Sequence, residues 1–329
     1  MSAAHADPGP VLPDILAAVG RTPMVRLARL SPPGGATVWA KCEHLNPGGS
    51  AKDRIALGLV ERAERDGTLP PGGTIVEASS GNTAIALAQA AAVKGYRCVI
   101  VVPEKVSEEK RRMTRAFGAE VVVAPKVAPD HPQHYRRVAK RLARETGGVF
   151  LDQFANPAAT DAHYLTTGPE IHAQLGGRVD AFVAGAGTGG TIAGVARYLK
   201  EKDPAVRVVL ADPPGSLLSG PAKPYLVEGI GVDFHLPGLD LRLVDEIVTV
   251  PDAESFAWAR RLAREEGILA GGSSGSALAA AVGVAAQLPP DANVVAILAD
   301  TGRNYLSKLY DDAWLARQAP APVPGSVAH

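Results

Sequence analysis

Five short stretches of this 329-residue chain carry groups whose type and spacing could do chemistry. In Asn46-Pro47-Gly48-Gly49-Ser50-Ala51-Lys52-Asp53-Arg54 an apolar run ends in a glycine turn and a helical pattern begins. Ser50 and Asp53 form a helix-start signature, a side-chain cap with an acid in the first turn. Lys52 then falls where the helix dipole disfavours a cation, a setting suited to an amine nucleophile. A solvated surface lysine is the plainer reading of that stretch alone. In Glu77-Ala78-Ser79-Ser80-Gly81-Asn82-Thr83 a strand-like run meets hydroxyl residues at a helix start, where backbone N–H groups suit an anion such as a carboxylate. An ordinary capped helix has the same wording.

The third stretch, Gly185-Ala186-Gly187-Thr188-Gly189-Gly190-Thr191, lets backbone amides approach a phosphate at a helix N-terminus. It lacks the Gly-Lys-Ser/Thr ending of a nucleoside triphosphate loop. Thr191 also breaks the dinucleotide glycine fingerprint, so a compact phosphate monoester fits better. In Gly271-Gly272-Ser273-Ser274-Gly275-Ser276, Ser273 could offer a hydroxyl to a ligand ring, although a helix cap explains it equally. Asp300-Thr301-Gly302-Arg303-Asn304-Tyr305 is a polar cluster at a strand end, a natural pocket lining. The eight histidines show no metal-ligand spacing, so no metal is expected, and no nucleophile elbow is present.

The elements that must position these groups alternate along the chain. Strand-like runs are TVWAKC, TIVEAS, YRCVIVVP, EVVVAP, GVFLDQ, AFVAGAG, VRVVLADP, EIVTV and NVVAILAD, several of them continuously apolar as in strands covered on both faces. Helical patterns fill 51–66, 82–94, 107–117, 132–145, 160–175, 189–201, 252–266 and 274–287, with Gly67, Gly95, Gly118 and Gly267 placed as C-terminal caps. This order predicts an α/β protein with largely parallel sheets and a ligand at the carboxyl ends of strands. The first ten residues and the tail after about Arg317 are Pro/Ala-rich and expected to fray.

Lys plus Arg and Asp plus Glu both number 34, so the formal charge is zero, which argues against binding nucleic acid or an anionic membrane through bulk charge. Two cysteines, Cys42 and Cys98, are too few for a disulfide framework and read as small buried hydrophobes. No apolar run is long enough to span a membrane, and the N-terminus lacks a signal-peptide pattern, so a cytoplasmic protein is expected.

An amine, an anion cradle, a phosphate loop and a ring-facing hydroxyl together suit pyridoxal 5′-phosphate. Their order and wording resemble the fold-type II pyridoxal-phosphate enzymes of the cysteine synthase and cystathionine β-synthase family, from about Val11 to about Trp314. The resemblance implies a tryptophan synthase β-like architecture of two α/β domains, each a mainly parallel sheet flanked by helices. A smaller mobile domain would span 46–156 and a larger one 1–45 plus 157–329, with the cofactor in the cleft between them. A homodimer is implied as well.

The roles carried over are these. Lys52 forms the Schiff base with the cofactor and serves as general base and acid; Asn82 bonds the pyridoxal 3-oxygen; Gly187, Thr188, Gly189, Gly190 and Thr191 hold the phosphate; and Ser273 faces the pyridine nitrogen. Ser79, Ser80, Thr83 and Gln153 bind the substrate carboxylate, and Tyr164 and Glu228 line the acceptor side. The implied reaction is β-replacement on L-serine or an O-activated serine by a thiol, through an aminoacrylate. Stretches such as Ala162-His163-Tyr164, Tyr225–Gly231 and Asp312-Ala313-Trp314 resemble cystathionine β-synthase more than cysteine synthase. Serine plus homocysteine is therefore the first expectation, and O-acetylserine plus sulfide the rival. Phosphoserine ranks lower, because Lys223 is the sole cation over Ser216–Asp233. The family's C-terminal regulatory domain and its haem-binding extension are not expected. Ser79, Ala84, Val106 and Val232 depart from the family wording. One methyl in a pocket is worth roughly 1–3 kcal/mol of discrimination, so a specialised nucleophile is a further possibility. A cofactor-binding protein without catalysis and an eliminase on the same fold compete with these readings.

Overall fold

The computed structural model describes residues 11–318 apart from Ser80, Lys105, Ser107 and Pro129. The two ends expected to fray, and Ser80, therefore lie outside the described residues, except for the few tail residues up to Gln318. In chain order the elements begin with β1 (Met24–Arg26), β2 (Thr37–Lys41), α1 (Lys52–Arg65), β3 (Thr74–Ala78), α2 (Asn82–Lys94), β4 (Arg97–Pro103), α3 (Glu108–Ala116), β5 (Glu120–Ala124) and α4 (Tyr135–Thr146). They continue with β6 (Val149–Phe150), α5 (Ala158–Leu165), α6 (Thr167–Gln174), β7 (Ala181–Gly185), α7 (Gly190–Lys202) and β8 (Arg207–Asp212). Last come β9 (Glu246–Thr249), α8 (Asp252–Glu266), α9 (Gly272–Ala285), β10 (Asn293–Ile297) and α10 (Asp312–Gln318).

The chain divides into two compact units. One takes in the chain up to Arg21, Asn46–Gly48 and Lys52–Leu151. The other takes in Thr22–Leu45, Gly49–Ala51 and the chain from Asp152 onward.

The first unit is built on a parallel sheet in the order β5-β4-β3-β6. Alternation along the strands sends Val76, Ala78, Val99 and Val101 to one face, where Val138, Ala139 and Ala143 of α4 cover them. Ile75 and Ile100, one residue out of phase, are fully buried as well. Burial on both faces is why β4 reads as a continuous apolar run. Helix α2 is buried from Thr83 to Ala91, in keeping with its small, alanine-rich composition.

The second unit carries a sheet in the order β1-β2-β10-β7-β8-β9, parallel except for the β1–β2 pair. Its two faces again follow from alternation. Ala181, Val183, Val209, Ala211, Val294 and Ala296 pack with Leu278, Ala281 and Val284 of α9. Phe182, Ala184, Val208, Leu210, Val295 and Ile297 pack with Ile192, Val195 and Leu199 of α7.

Two expectations about elements are corrected. The single helix over 160–175 is two helices, broken at Thr166, whose φ of −127° and ψ of −66° leave the helical region. Pro169 explains the break, because in a continuous helix its ring would collide with the carbonyl four residues back and its missing N–H would leave that carbonyl unbonded. The run GVFLDQ yields only the two residues of β6, since Asp152 adopts a positive φ of 51° and turns the chain away. Strand β1 is too short to show a period, and the sequence does not announce it. The predicted glycine caps at Gly95 and Gly267 are left-handed, with N–H groups bonded to Ala91 O and Leu262 O.

Candidate active site

In the first unit Lys52 opens α1 and is half-buried. Asp53 is buried, and its carboxylate accepts from the Gly48 N–H, filling the space that a Cβ at Gly48 would need. The residues just before Lys52 belong to the second unit and are stitched to the segment after β10. Ala51 N donates to Ala299 O at 2.8 Å, Thr301 N donates to Gly49 O at 3.0 Å, and Ser50 pairs with Asp300. Gly49 has a φ of +84°, which excludes an ordinary side chain there. The lysine backbone is thus fixed from both directions along the chain.

Also in the first unit, β3 ends at Ala78 and the turn to α2 carries Ser79, Asn82 and Thr83. Ser79 and Thr83 are buried, and Ser79 Oγ accepts from Gly81 N at 3.4 Å. The N-cap of α2 is Gly81, which offers no side-chain cap. Backbone N–H groups at such a helix start can serve an anion.

In the second unit the loop after β7 is shaped by missing side chains. A Cβ at Gly187 would lie 2.3 Å from Gly229 O, and one at Gly185 would lie 2.4 Å from Ile230 Cγ2. Gly231 N donates to Ala186 O at 2.9 Å. Helix α7 starts after Gly189, which lies in the left-handed region and again gives no side-chain cap. Thr188 is buried and its Oγ1 accepts from Gly190 N at 3.4 Å. Thr191 Oγ1 lies 3.1 Å from His163 Nε2.

Ser273 is in the first turn of α9, is 4% exposed, and has no hydrogen-bond partner among the described residues. Its neighbours differ: Ser274 Oγ accepts from Ala299 N at 3.1 Å, and Ser276 Oγ bonds Ser255 Oγ at 2.7 Å. A Cβ at Gly229 would lie 3.8 Å from Ser273 Oγ, so this hydroxyl, the 229–231 segment and the 185–191 loop are brought together. Asp300, buried and bonded by Tyr305 Oη at 2.7 Å, presses against Gly271 at the same helix start.

The remaining expected residues are placed as follows. Gln153 is buried directly after Asp152. Glu228 is ion-paired with Lys308, and Asp252 grips the preceding backbone by accepting from Leu226 N and Val227 N at 2.9 Å each. Tyr164 lies 3.7 Å beneath the Arg197 guanidinium, and its hydroxyl donates to Glu201 at 2.7 Å, which holds that phenol above its usual value. The contacts of Lys308, of Asp252 and of His163 with Thr191 are not announced by the sequence, because each joins residues distant in the chain. No cluster of three or more metal-ligand side chains occurs among the described residues, and no described helix is long and apolar enough to cross a membrane.

Residues 15–300 match the family of pyridoxal-phosphate dependent enzymes. This chain belongs to that family. Among relatives of this pyridoxal-phosphate enzyme, cystathionine beta-synthase of Rattus norvegicus is 50% identical over 319 residues, covering 94% of this chain and 57% of the rat protein. Cystathionine beta-synthase of Saccharomyces cerevisiae is 44% identical over 324 residues, covering 92% of this chain and 64% of the yeast protein. The chain thus spans less than two thirds of the length of these relatives. Among solved structures, O-ureido-L-serine synthase superposes with a TM-score of 0.87 at 42% identity, covering 93% of this chain and all of that one. The fold is therefore fold type II and the cofactor pyridoxal 5′-phosphate, as the motifs implied.

The residues present fit that cofactor. Ser273, 4% exposed in the first turn of α9, brings a hydroxyl beside the Gly229 backbone, where it could meet a pyridine nitrogen. The uncapped start of α7, with Thr188 and Thr191 beside it and no Cβ at 187, 189 or 190, suits a phosphate.

Proposed function

We propose that this enzyme catalyses β-replacement on L-serine or an O-activated serine, with serine plus homocysteine giving cystathionine as the leading pair. Identities of 44–50% to cystathionine beta-synthases across more than nine tenths of the chain support the class of reaction. The structural observation that carries the reading is the close packing of the 185–191 loop, the 229–231 segment and Ser273.

When bound, pyridoxal phosphate supplies an aldehyde carbon that exchanges amines and a conjugated ring that draws electrons from Cα. Lys52 Nζ anchors it, then takes the substrate α-proton and later returns it, so one amine serves as base and acid. Gly187, Thr188, Gly189, Gly190 and Thr191 hold the phosphate through backbone N–H groups and hydroxyls. Asn82 orients the ring, and Ser273 gives the pyridine nitrogen a neutral partner, which keeps the ring a weaker electron sink than a carboxylate partner would. The start of α2, with Ser79, Ser80 and Thr83, together with Gln153, holds the substrate carboxylate. Glu228, held by Lys308, borders the second substrate.

A second reading is a specialised paralogue. The similarity to O-ureido-L-serine synthase favours it, since O-ureido-L-serine is also a β-substituted alanine. Cysteine synthesis from O-acetylserine and sulfide is the third. Mass-spectrometric product screening of serine, O-acetylserine and O-phosphoserine against homocysteine, sulfide and hydroxyurea decides among them. Pyruvate as the main product from every pair would overturn β-replacement in favour of elimination. We also propose a cytoplasmic homodimer. Two buried cysteines outside any disulfide agree with a reducing compartment, and sedimentation would test the dimer.

A further inference from the structure

His163 is fully buried on α5, and both of its ring nitrogens meet threonine hydroxyls. Nδ1 lies 2.8 Å from Thr167 Oγ1, across the break between α5 and α6. Nε2 lies 3.1 Å from Thr191 Oγ1, in the first turn of α7. The close approach of α5 to α7 is set by two glycines. A Cβ at Gly190 would lie 2.8 Å from Ala159 O, and one at Gly194 would lie 2.3 Å from Thr160 O and 2.9 Å from His163 Cβ. A side chain at either position would push α5 outward and take the imidazole away from Thr191.

We propose that His163 is a positioning residue that keeps the Thr191 hydroxyl oriented as a donor toward the cofactor phosphate. The inference rests on the assignment of residues 187–191 to that phosphate. A threonine hydroxyl has one proton. If Nε2 carried only a lone pair, that proton would be drawn to the imidazole, and the hydroxyl would turn its lone pairs toward a dianion. In the proposed arrangement the Thr167 hydroxyl donates to Nδ1, and the ring, with its proton on Nε2, donates to Thr191 Oγ1. The Thr191 proton is then left for the phosphate.

The test uses the full-length holoenzyme and its apo form. His163→Gln can present an N–H near the Nε2 position, whereas His163→Leu cannot. Pyridoxal phosphate affinity is read by fluorescence titration of the apoprotein, and the phosphate environment by 31P NMR of the holoenzyme. His163→Leu is expected to bind the cofactor roughly three- to tenfold more weakly, the range for one lost hydrogen bond, with a displaced 31P resonance. His163→Gln is expected to restore both toward wild type. Should His163→Leu fail to fold, Thr167→Val reads the same relay and is expected to shift the 31P resonance in the same direction. Wild-type affinity and an unmoved resonance in the folded variants would overturn the proposal while leaving the cofactor assignment intact. A wild-type protein that takes up no pyridoxal phosphate would overturn both.

Discussion

Gly187→Ala isolates the steric requirement of the proposed phosphate loop. The added methyl would stand 2.3 Å from Gly229 O and 3.2 Å from the Gly229 carbonyl carbon. A relaxed carbon–oxygen contact is about 3.3 Å, so the intrusion is about 1 Å into an atom that cannot rotate aside. Gly187 does not have a positive φ, so left-handed strain adds nothing to the steric cost. Relief requires the 229–231 segment to retreat, which stretches the bond from Gly231 N to Ala186 O. Overpacking of this kind costs roughly 1–3 kcal/mol. If the distortion falls on the cradle, cofactor binding weakens by about 5- to 150-fold. The assay is equilibrium titration of apoprotein with pyridoxal phosphate, beside thermal unfolding of both forms. Gly283→Ala is the matched control: nothing lies within 4 Å of its Cβ, it sits within α9, and it should gain about 0.4–1 kcal/mol of stability with unchanged affinity. A Gly187→Ala protein that binds the cofactor as tightly as wild type would refute the claim that bare backbone is needed there.

Lys52→Ala should keep its fold and bind pyridoxal phosphate only non-covalently, with turnover reduced roughly 100- to 10,000-fold; borohydride reduction and peptide mapping should show a label on Lys52 in wild type and none in the variant. Burial pushes both Cys42 and Cys98 up to about 12, with Lys41 opposing and Glu43 adding at Cys42, and Glu77 adding at Cys98. Neither thiol should react with Ellman's reagent at pH 8 in the native protein, and both should react in denaturant. Linkage adds that their contribution to stability is full below the unfolded thiol value of about 8.5 and is lost as pH rises toward 12. Asp212, fully buried at the end of β8, has its carboxyl raised by burial, with Ser219 and Ser216 pulling the other way. The raised group favours the folded state fully below the unfolded value of about 3.9, and that contribution is lost as pH rises through its folded value. Asp212→Asn should therefore gain stability relative to wild type as pH rises from 3 to 8, by about 1.4 kcal/mol for each unit of upward shift; a constant gap in melting temperature across that range would contradict this.

What can be read from sequence follows from the range of the forces involved. The continuous apolar strands and the glycines that end helices are local consequences of burial and backbone sterics, so β4, β8 and the caps at Gly95 and Gly267 are legible. Lys52, the 187–191 loop and Ser273 are legible as a set because each stands at the junction of a turn and a helix start, although each alone has a plain structural explanation. At Thr166 two local signals conflict: the apolar period argues for one continuous helix, and Pro169 argues for the break that the chain adopts. The contacts of His163 with Thr191, of Lys308 with Glu228 and of Asp252 with Val227 are not legible, since the partners lie 28, 80 and 25 residues apart and no local pattern announces them. Tyr164 illustrates the converse: its wording points to the acceptor, while packing gives its hydroxyl to Glu201 and its ring to Arg197.

If residues 226–232 border the second substrate as proposed, the same geometry limits how specificity for it can be tuned. Residues 226–232 are braced along their length. Asp252 holds the backbone at Leu226 and Val227, Gly231 N is tied to Ala186 O, and Val232 N donates to Ser216 Oγ at 3.1 Å. Val232, which departs from the family wording, is 4% exposed and packs with Leu236 and Leu239 in the core beneath α7. A change of volume at that position acts on the packing first and moves Ile230 and Gly231 with it, and those residues abut the phosphate loop at Gly185 and Ala186. Under the proposed reaction, acceptor preference and cofactor seating would be coupled through one piece of backbone. Under the proposed reaction, residues that alter the nucleophile without loosening the cofactor should be sought at side chains that the brace leaves adjustable. The Glu228–Lys308 pair, partly exposed on both sides, meets that requirement where the buried Val232 does not.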